Sequence, residues 1–240
     1  MKVSALFLLL VPLATCCTVE TTDTIGPSTD NPTTTMNETD PEWTSLFDGA
    51  TFDHWRGYAQ DAMPAGWIIE DGAMFASTPG AGMDIVTKAA YTDFELELDW
   101  RVAEAGNSGI MWHVDESAGG YPWMTGPEYQ ILDDAAHNNG EISKNSAGAN
   151  YDVQAPSAAV TNPAMEWNNA RILVRGSHVE HWLNGTKVVE YEKGSADHKQ
   201  RVAASKWKDM ESYGSTSTGH IAFQGDHGKV WFRNLRIRAL

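Results

Sequence analysis

The stretch "FELELDWRV", residues 94–102, decides the fold, because apolar and charged residues alternate along its whole length. In an extended chain, successive side chains point to opposite faces. One face therefore carries Phe94, Leu96, Leu98, Trp100 and Val102, and the other carries Glu95, Glu97, Asp99 and Arg101. Strict alternation over this length predicts a β-strand with one face in a core and the other in solvent.

Short runs of the same kind recur along the chain, separated by Gly, Asn, Asp and Pro. The clearest are "SGIMWHV" (108–114), "GPEYQIL" (126–132), "GHIAFQG" (219–225) and "KVWFRNLRIRAL" (229–240). Asn184-Gly185 is a strong hairpin signal, because a type I′ turn needs positive φ at both positions. The pattern predicts an all-β domain of two antiparallel sheets, a jelly-roll sandwich with minor helical turns in 196–212.

Composition limits the classes of partner. The chain has 240 residues, enough to bury a full core, and it contains 10 Trp and 21 Gly. Its formal net charge is -15. A protein this acidic repels phosphate backbones and anionic lipid surfaces, so we expect no nucleic-acid partner and no electrostatic membrane binding.

The N-terminus has the pattern of an export signal. Residues 1–17, "MKVSALFLLLVPLATCC", combine one Lys with an apolar run too short to span a bilayer. "LATC" (13–16) is similar to a bacterial lipobox, which predicts lipidation of Cys16, with Cys17 as the neighbouring candidate. Ordinary signal cleavage nearby is the alternative. We expect an exported protein, anchored in the bacterial envelope by this lipid alone.

A low-complexity segment follows the cysteines. Residues 18–42 are rich in Thr and Pro and contain six acidic and no basic residues. Such a segment has little to bury, so it predicts a disordered acidic tether. Residues 43–240 then form the folded domain, which has no cysteine and therefore no disulfide framework.

Two patterns that suggest chemistry have simpler explanations. His178 and His181 lie three apart in a predicted strand, so they face opposite ways and do not share a metal. Glu95, Glu97 and Asp99 are similar to the acidic triplet of laminarinase-type glycosidases. Retaining glycosidases need carboxyl groups about 5 Å apart, whereas strand positions i and i+4 lie roughly 13 Å apart. We therefore expect the triplet to be a solvated outer face.

A more unusual face is predicted across three strands. Glu128 and Gln130 alternate with the apolar Tyr129 and Ile131. If the neighbouring strands pair as expected, the same face also carries Met111, His113, His220, Ala222 and Gln224, with Asp226 and His227 on the turn that follows. His, Gln and Glu hold hydrogen-bonding groups in fixed directions, which suits hydroxyls and carbonyls. This pattern favours a ligand-binding face over an ordinary solvated one.

Six segments, taken in order, resemble one known family. They are "LFDGATFDHWRGY", "GNSGIMWHV", "GPEYQILDD", "NYDVQAPS", "EWNNARILVRGSHVEHWLNGTKVVEYE" and "GHIAFQGDHGKVWFRNLRIR". Together they closely resemble the 3-keto-disaccharide hydrolase domain family over residues 43–240. The resemblance implies a jelly roll similar to the concanavalin and laminin-G folds.

The resemblance also implies action on glycosides that carry a ketone at C3. Such a ketone acidifies the C2 proton, a base removes it, and the glycosidic oxygen at C1 leaves by β-elimination. Addition of water then completes a net hydrolysis, so the end product is that of a hydrolase or, without hydration, of a lyase. The reaction needs a base, an enediolate stabiliser and an acid.

Residue roles follow from the resemblance. The implied catalytic residues are Glu128, His113 and His227. The implied substrate-binding residues are Asn107, Gln130, Asp133, Gln224 and Trp182. A divalent ion that chelates the substrate would use Glu128, Asp133, Asp226 and His227, and no other cofactor is implied. The chain departs from the family pattern at His113, where Arg is frequent, and at Gly225, which separates Gln224 from Asp226.

Two rival functions stay open at the level of sequence. A non-catalytic carbohydrate-binding module on the same sandwich would need an exposed aromatic platform, for instance Trp123 and Trp182, but no base. An ordinary glycosidase would need paired carboxylates at suitable spacing. A clustered His–Glu pair would favour the keto-glycoside enzyme.

Overall fold

A computed structural model describes residues 42–78, 83–138 and 140–240 of the chain. The predicted signal peptide (1–17), its lipidation site Cys16 and all but the last residue of the predicted tether (18–42) lie outside the described residues. Export, anchoring and tether therefore remain predictions. Within the described ranges, no helix is long and apolar enough to cross a membrane.

The described chain is mainly β. The strands are β1 (Thr44–Ser45), β2 (Trp55–Gly57), β3 (Trp67–Glu70), β4 (Ala73–Ala76), β5 (Ile85–Thr87), β6 (Phe94–Val102), β7 (Asn107–Val114), β8 (Glu128–Leu132), β9 (Asn168–Arg175), β10 (His178–Leu183), β11 (Thr186–Glu192), β12 (His220–Phe223) and β13 (Val230–Ala239). The helices are α1 (Asp134–Asn138) and α2 (Ala196–Ala203), with 3₁₀ turns at Glu116–Ala118 and Pro122–Met124. The helix expected in 196–212 thus occupies the first part of that range.

These strands form two antiparallel sheets in the part of the chain that is described. The eight-stranded sheet runs β11-β10-β9-β6-β13-β4-β3, with β1 paired to β13, and the five-stranded sheet runs β2-β5-β12-β7-β8. Every strand pair is antiparallel. The prediction of an all-β jelly-roll sandwich is confirmed.

The core lies between the sheets and is built as the alternation in β6 predicts. Phe94, Leu96, Leu98, Trp100 and Val102 are all buried, and they belong to one cluster with apolar residues of the five-stranded sheet. Burying each large apolar side chain contributes roughly 1.5–3 kcal/mol. The β6 pattern therefore fixes which face of the eight-stranded sheet turns inward.

The outer face of β6 is an ionic lattice. Glu95 pairs with Arg171 and Arg238 from the two flanking strands, and Glu97 pairs with Arg236. Burial raises the pKa of Glu95, but hydrogen bonds from both arginines outweigh burial and lower it. Glu95 is buried, so the expected solvated face is corrected at this position, because the guanidinium groups cover it.

The β10–β11 hairpin confirms the turn prediction. Asn184 and Gly185 have φ values of 48° and 78°, as a type I′ turn requires. His181 is buried and bonds the Gly148 carbonyl through Nδ1 at 3.0 Å, whereas the ring of His178 reaches Glu192 on the other face. The two histidines point apart, as the strand spacing predicted.

A β-bulge in β7 changes the predicted face of His113. Val114 pairs with His220 and Met111 pairs with Ala222, so two residues of β7 oppose one residue of β12. His113 has a φ of 53° at this point. An extra residue of this kind interrupts the alternation of side chains. Val114 therefore joins Met111 on the outer face, and His113 leaves it.

Candidate active site

The floor of the candidate site is the outer face of three neighbouring strands. Glu128 of β8 pairs with Met111 of β7, and Gln130 pairs with Gly109. The backbone N–H of Gln224, just beyond β12, donates to the Gly109 carbonyl at 3.0 Å. The strands therefore bring Glu128, Gln130 and Gln224 to one surface, as predicted from their alternation.

Gly109 makes room for the Glu128 carboxylate. A Cβ atom at position 109 would lie 2.1 Å from Glu128 Oε1, well inside van der Waals contact. The carboxylate thus lies directly over the backbone of the neighbouring strand. Any side chain at position 109 would displace it.

Burial makes the Glu128 carboxyl group a weaker acid than an ordinary glutamate. Desolvation raises its pKa to about 8, although the positive charge of Lys206 opposes the shift. Smaller influences come from Asp84 and Asp226, which raise the pKa, and from His227, which lowers it. Perturbed pKa values of this size are typical of groups that transfer protons.

Two side-chain amide oxygens that line the cavity with Glu128 are suited to accept hydrogen bonds from a ligand. Asn107 Oδ1 and Gln130 Oε1 are buried, and neither has a hydrogen-bond partner among the described residues. Both residues line the same cavity as Glu128. An unpartnered buried acceptor is costly, so these oxygens are suited to hydroxyl groups of a ligand.

The turn after β12 adds an acid–base pair. His227 Nδ1 is hydrogen-bonded to the Asp226 carboxylate, and this bond is the main cause of a raised pKa of His227. Asp84 holds this turn in place, because the Gly225 N–H donates to Asp84 Oδ1 at 3.1 Å. Burial raises the pKa of Asp84 to about 7. Sequence reasoning missed Asp84, since a single carboxylate before a short strand carries no distinctive signal.

An aromatic wall rises over this floor from two loops. Tyr121 and Trp123 stack with ring centroids 5.4 Å apart, and Trp207 stacks on Tyr213 at 5.0 Å. The Trp123 and Trp207 rings lie with centroids 5.7 Å apart, which joins the two loops, and the Trp207 Nε1–H donates to the Tyr151 carbonyl at 3.2 Å. The wall forms only when separate loops pack together. In the sequence, the aromatic clusters "YPWM" and "SKWKDM" were the only sign of it.

Floor and wall enclose a cavity of about 540 Å³. It is lined by Asn107, Tyr121, Trp123, Glu128, Gln130, Tyr151, Lys206, Trp207, Met210, Gln224, Asp226 and His227. The structure therefore brings together five of the predicted catalytic and substrate-binding residues: Asn107, Glu128, Gln130, Gln224 and His227. The predicted metal ligand Asp226 lies with them.

The structure places the other three predicted residues elsewhere. His113 is buried behind the bulge, and its Nε2 lies 2.7 Å from the Thr92 carbonyl oxygen. Asp133 Oδ2 accepts from the Ala105 N–H at 2.9 Å and borders a different cavity. Trp182 lies on the eight-stranded sheet, where its Nε1–H donates to Glu180 at 2.7 Å. We therefore leave these three residues out of the site.

The predicted metal ligands do not form one complete set. Glu128, Asp226 and His227 line one cavity, but they are not a convergent group of ligands, and Asp133 borders a different cavity. Over the described ranges, the one convergent group of three ligand side chains is His178, Glu180 and Glu190. Lys187 Nζ already lies 3.1 Å from Glu180 and 2.7 Å from Glu190 there. An ammonium group thus already pairs with both carboxylates of that cluster.

Comparisons with known proteins agree with this fold. The family model described as "3-keto-alpha-glucoside-1,2-lyase-like domain" matches residues 42–238. A relative from Bacteroides thetaiotaomicron, named 3-keto-disaccharide hydrolase, is 31% identical over 226 residues, which cover 82% of this chain and 78% of the relative.

Solved structures give the same result. A candidate glycosyl hydrolase from Parabacteroides distasonis has a TM-score of 0.75 and 36% identity, covering 82% of this chain and 94% of its own. A second candidate glycosyl hydrolase from that species has a TM-score of 0.64 and 26% identity, covering 83% of this chain and 100% of its own.

Proposed function

Because the chain belongs to the 3-keto-alpha-glucoside-1,2-lyase-like domain family, we propose that it is a carbohydrate hydrolase that cleaves 3-keto-glycosides. One observation carries this proposal. Glu128, a buried carboxyl group with a pKa raised to about 8, lies in one cavity with His227, Asn107 and Gln130. This arrangement supplies a base, an acid and hydroxyl acceptors without a pair of ionised carboxylates.

Glu128 is the proposed base. A carboxylate whose pKa is raised by burial is a stronger base than an ordinary glutamate once it is ionised, and it operates near neutral pH. It takes the C2 proton of the keto-sugar, and the electron pair of the C–H bond moves into the C2–C3 bond and onto the C3 oxygen. The product of this step is an enediolate.

His227 is the proposed acid. Its bond to Asp226 favours the imidazolium form, because the neighbouring carboxylate stabilises the positive charge. The enediolate expels the oxygen at C1, the C1–O bond breaks, and His227 donates a proton to the leaving oxygen. Addition of water across the new double bond would complete a net hydrolysis, with the ketone retained.

The remaining floor residues would orient the sugar. Asn107 Oδ1 and Gln130 Oε1 are acceptors without partners in the described structure, so ring hydroxyls that donate to them would relieve an energetic cost. Only a substrate with hydroxyls at these positions gains this stabilisation. The C2–H bond is then held toward Glu128, which lowers the entropic part of the barrier.

The two rivals are less well supported. A binding module would use an exposed row of aromatics, but Trp182 lies on the eight-stranded sheet, whereas Trp123 lies in a 3₁₀ turn at the cavity. An ordinary glycosidase would use the acidic triplet, but Glu95, Glu97 and Asp99 are engaged by arginines on the eight-stranded sheet. The residues that each rival function would need are therefore not arranged for it.

Turnover assays separate the three functions. The protein is incubated with aryl 3-keto-glucosides and with the unoxidised parent glucosides, with and without a chelator. We expect aglycone release from the keto forms alone. Release from the parents would favour a glycosidase, and sugar binding without turnover of any substrate would favour a binding module.

Substitutions test the assigned roles. Glu128→Gln and His227→Ala should each abolish turnover while the melting temperature changes little, because both side chains face the cavity. Trp182→Phe is the matched control, since Trp182 lies outside the cavity, and it should keep wild-type turnover. A large loss of stability in the first two variants, with residual turnover in proportion to folded protein, would mean that both residues are structural.

A further inference from the structure

Two basic side chains, Lys206 and His227, line the cavity of this strongly acidic protein. The chain has a net charge of -15, yet the cavity contains an ammonium group at Lys206. Its carboxyl groups are Glu128, which is buried, and Asp226, which is bonded to His227. Lys206 is therefore a cavity-lining cation that no carboxylate of the described residues engages at ion-pair distance.

Lys206 is held in place by aromatic rings instead of by a carboxylate. Its Nζ lies 3.9 Å from the ring centre of Tyr151 and 4.3 Å from that of Trp207. The backbone N–H of Lys206 donates to Asp152 Oδ2 at 2.6 Å, which fixes the backbone from which the side chain extends. Lys144 and Lys187 form ion pairs with carboxylates, whereas Lys206 forms none with a described residue.

An ammonium without an anionic partner is suited to negative charge on a ligand. That charge exists either in the free substrate or only during the reaction. A protein with a net charge of -15 disfavours the approach of anionic substrates at long range. Charge that develops inside the cavity avoids this repulsion. The reaction proposed above produces such charge on the C3 oxygen.

We propose that Lys206 is a further catalytic residue, whose ammonium group binds the C3 oxygen of the keto-sugar and stabilises the enediolate as it forms. This inference rests on the proposed function. The C2 proton passes to Glu128, the electron pair moves onto the C3 oxygen, and Lys206 transfers no proton. When the C1–O bond breaks, the electron pair returns and the C3 ketone is restored. Groups aimed at developing charge act mainly on kcat.

The test compares Lys206→Met, Lys206→Arg and the control Lys208→Met. Lys206 and Lys208 are both exposed lysines, but Lys208 does not line the cavity. The substrates are a neutral aryl 3-keto-glucoside, for cleavage, and a 3-keto sugar with hydrogen in place of the C1 substituent, for exchange of the C2 proton in D₂O. The second substrate cannot eliminate, so NMR measures deprotonation alone.

We expect Lys206→Met to lower kcat and the C2 exchange rate by about 10²-fold, the loss typical of one removed oxyanion donor. KM should change by less than about threefold, since charge complementarity is gained only as the transition state forms. Lys206→Arg should recover most of both rates, because it restores the charge, and Lys208→Met should match the wild type.

Different failures have different meanings. A wild type that does not cleave the keto-glucoside would overturn the proposed function, and this inference with it. A wild type that cleaves, beside a Lys206→Met variant with unchanged kcat and exchange, would overturn the inference alone. A raised KM at unchanged kcat, largest for a keto-glycoside with a carboxylate at C6, would instead make Lys206 a binding residue for anionic sugars.

Discussion

At the scale of single residues, the environment sets the chemistry. Glu95 and Glu128 are both strand glutamates with little exposure, and their acidities move in opposite directions. Arg171 and Arg238 hold the pKa of Glu95 low, whereas burial raises the pKa of Glu128 to about 8. The first is therefore a fixed anion in an ionic lattice, and the second is available to exchange a proton near neutral pH.

The pKa of Glu128 predicts an acidic limb in the rate profile. As the base, Glu128 must be ionised, so kcat/KM for a keto-glucoside should rise about tenfold per pH unit through the acidic range. It should fall again at higher pH, where His227, the proposed acid, loses its proton. Among the carboxyl groups that the structure describes, Asp84 is the other one whose pKa burial raises into this range, to about 7. An Asp84→Asn variant should keep the limb, and a profile that is flat from pH 5.5 to 7.5 would contradict the assignment.

Gly109 gives a second prediction at this scale. Gly109→Ala places a methyl group against the Glu128 carboxylate, whose flexible end must move away. Displacing a catalytic group by about 1 Å costs up to roughly 10²-fold in rate, so kcat should fall by about 10- to 100-fold. Thermal unfolding should shift by only a few degrees, because no backbone atom is displaced. Unchanged kcat would show that the carboxylate tolerates the shift.

At the scale of elements, the β7 bulge divides structural from functional residues. Upstream of the bulge, Gly109 and Met111 face the cavity side of the sheet as simple alternation predicts. At the bulge, His113 turns toward Phe94, with ring centroids 6.0 Å apart, and bonds the Thr92 carbonyl. A single inserted residue thus converts a predicted catalytic histidine into a packing residue.

His113→Ala tests this assignment. Removing a buried ring that also makes a hydrogen bond should destabilise the fold by about 2–4 kcal/mol. Turnover per folded molecule should stay within about threefold of the wild type, measured at a temperature where circular dichroism shows the variant to be folded. A loss of turnover above 100-fold at wild-type stability would return His113 to the catalytic machinery.

At the scale of the whole molecule, the outer faces of the two sheets differ in function. The outer face of the eight-stranded sheet is closed by ion pairs between β6, β9 and β13. The outer face of the five-stranded sheet instead carries the cavity, which the loops with Trp123 and Trp207 complete. The core packs both sheets on one set of apolar side chains, which gives the floor of the cavity a rigid base.

The N-terminal segment supports a proposal for location. We propose that Cys16 is lipidated after export and anchors the domain in the bacterial envelope. In a bacterial host, the full-length chain should fractionate with membranes, Cys16→Ser should move to the soluble fraction, and Cys17→Ser should stay anchored. The reverse behaviour of the two variants would assign the lipid to Cys17. A soluble wild type would favour ordinary signal cleavage.

The sequence by itself determined the sandwich, the faces of β6, β8 and β12, and the hairpin at Asn184-Gly185. Each depends on alternation or on backbone φ, which are properties of neighbouring residues. It also grouped Glu128, Gln130 and Gln224 correctly, because they lie on the same parity of paired strands.

Only the tertiary structure decided the rest of the site. A one-residue bulge removed His113, since register depends on the partner strand and not on the local pattern. Asp133 and Trp182 lie outside the site. Asp133 bonds the Ala105 N–H and borders a different cavity, and Trp182 lies on the eight-stranded sheet. Lys206 and Trp207 entered because distant loops pack over one face, and the burial that follows gives Glu128 its raised pKa. Asp84 supports the site from outside the cavity, through its bond to the Gly225 N–H. Burial and long-range contact are properties of the assembled chain, which no short stretch of sequence contains.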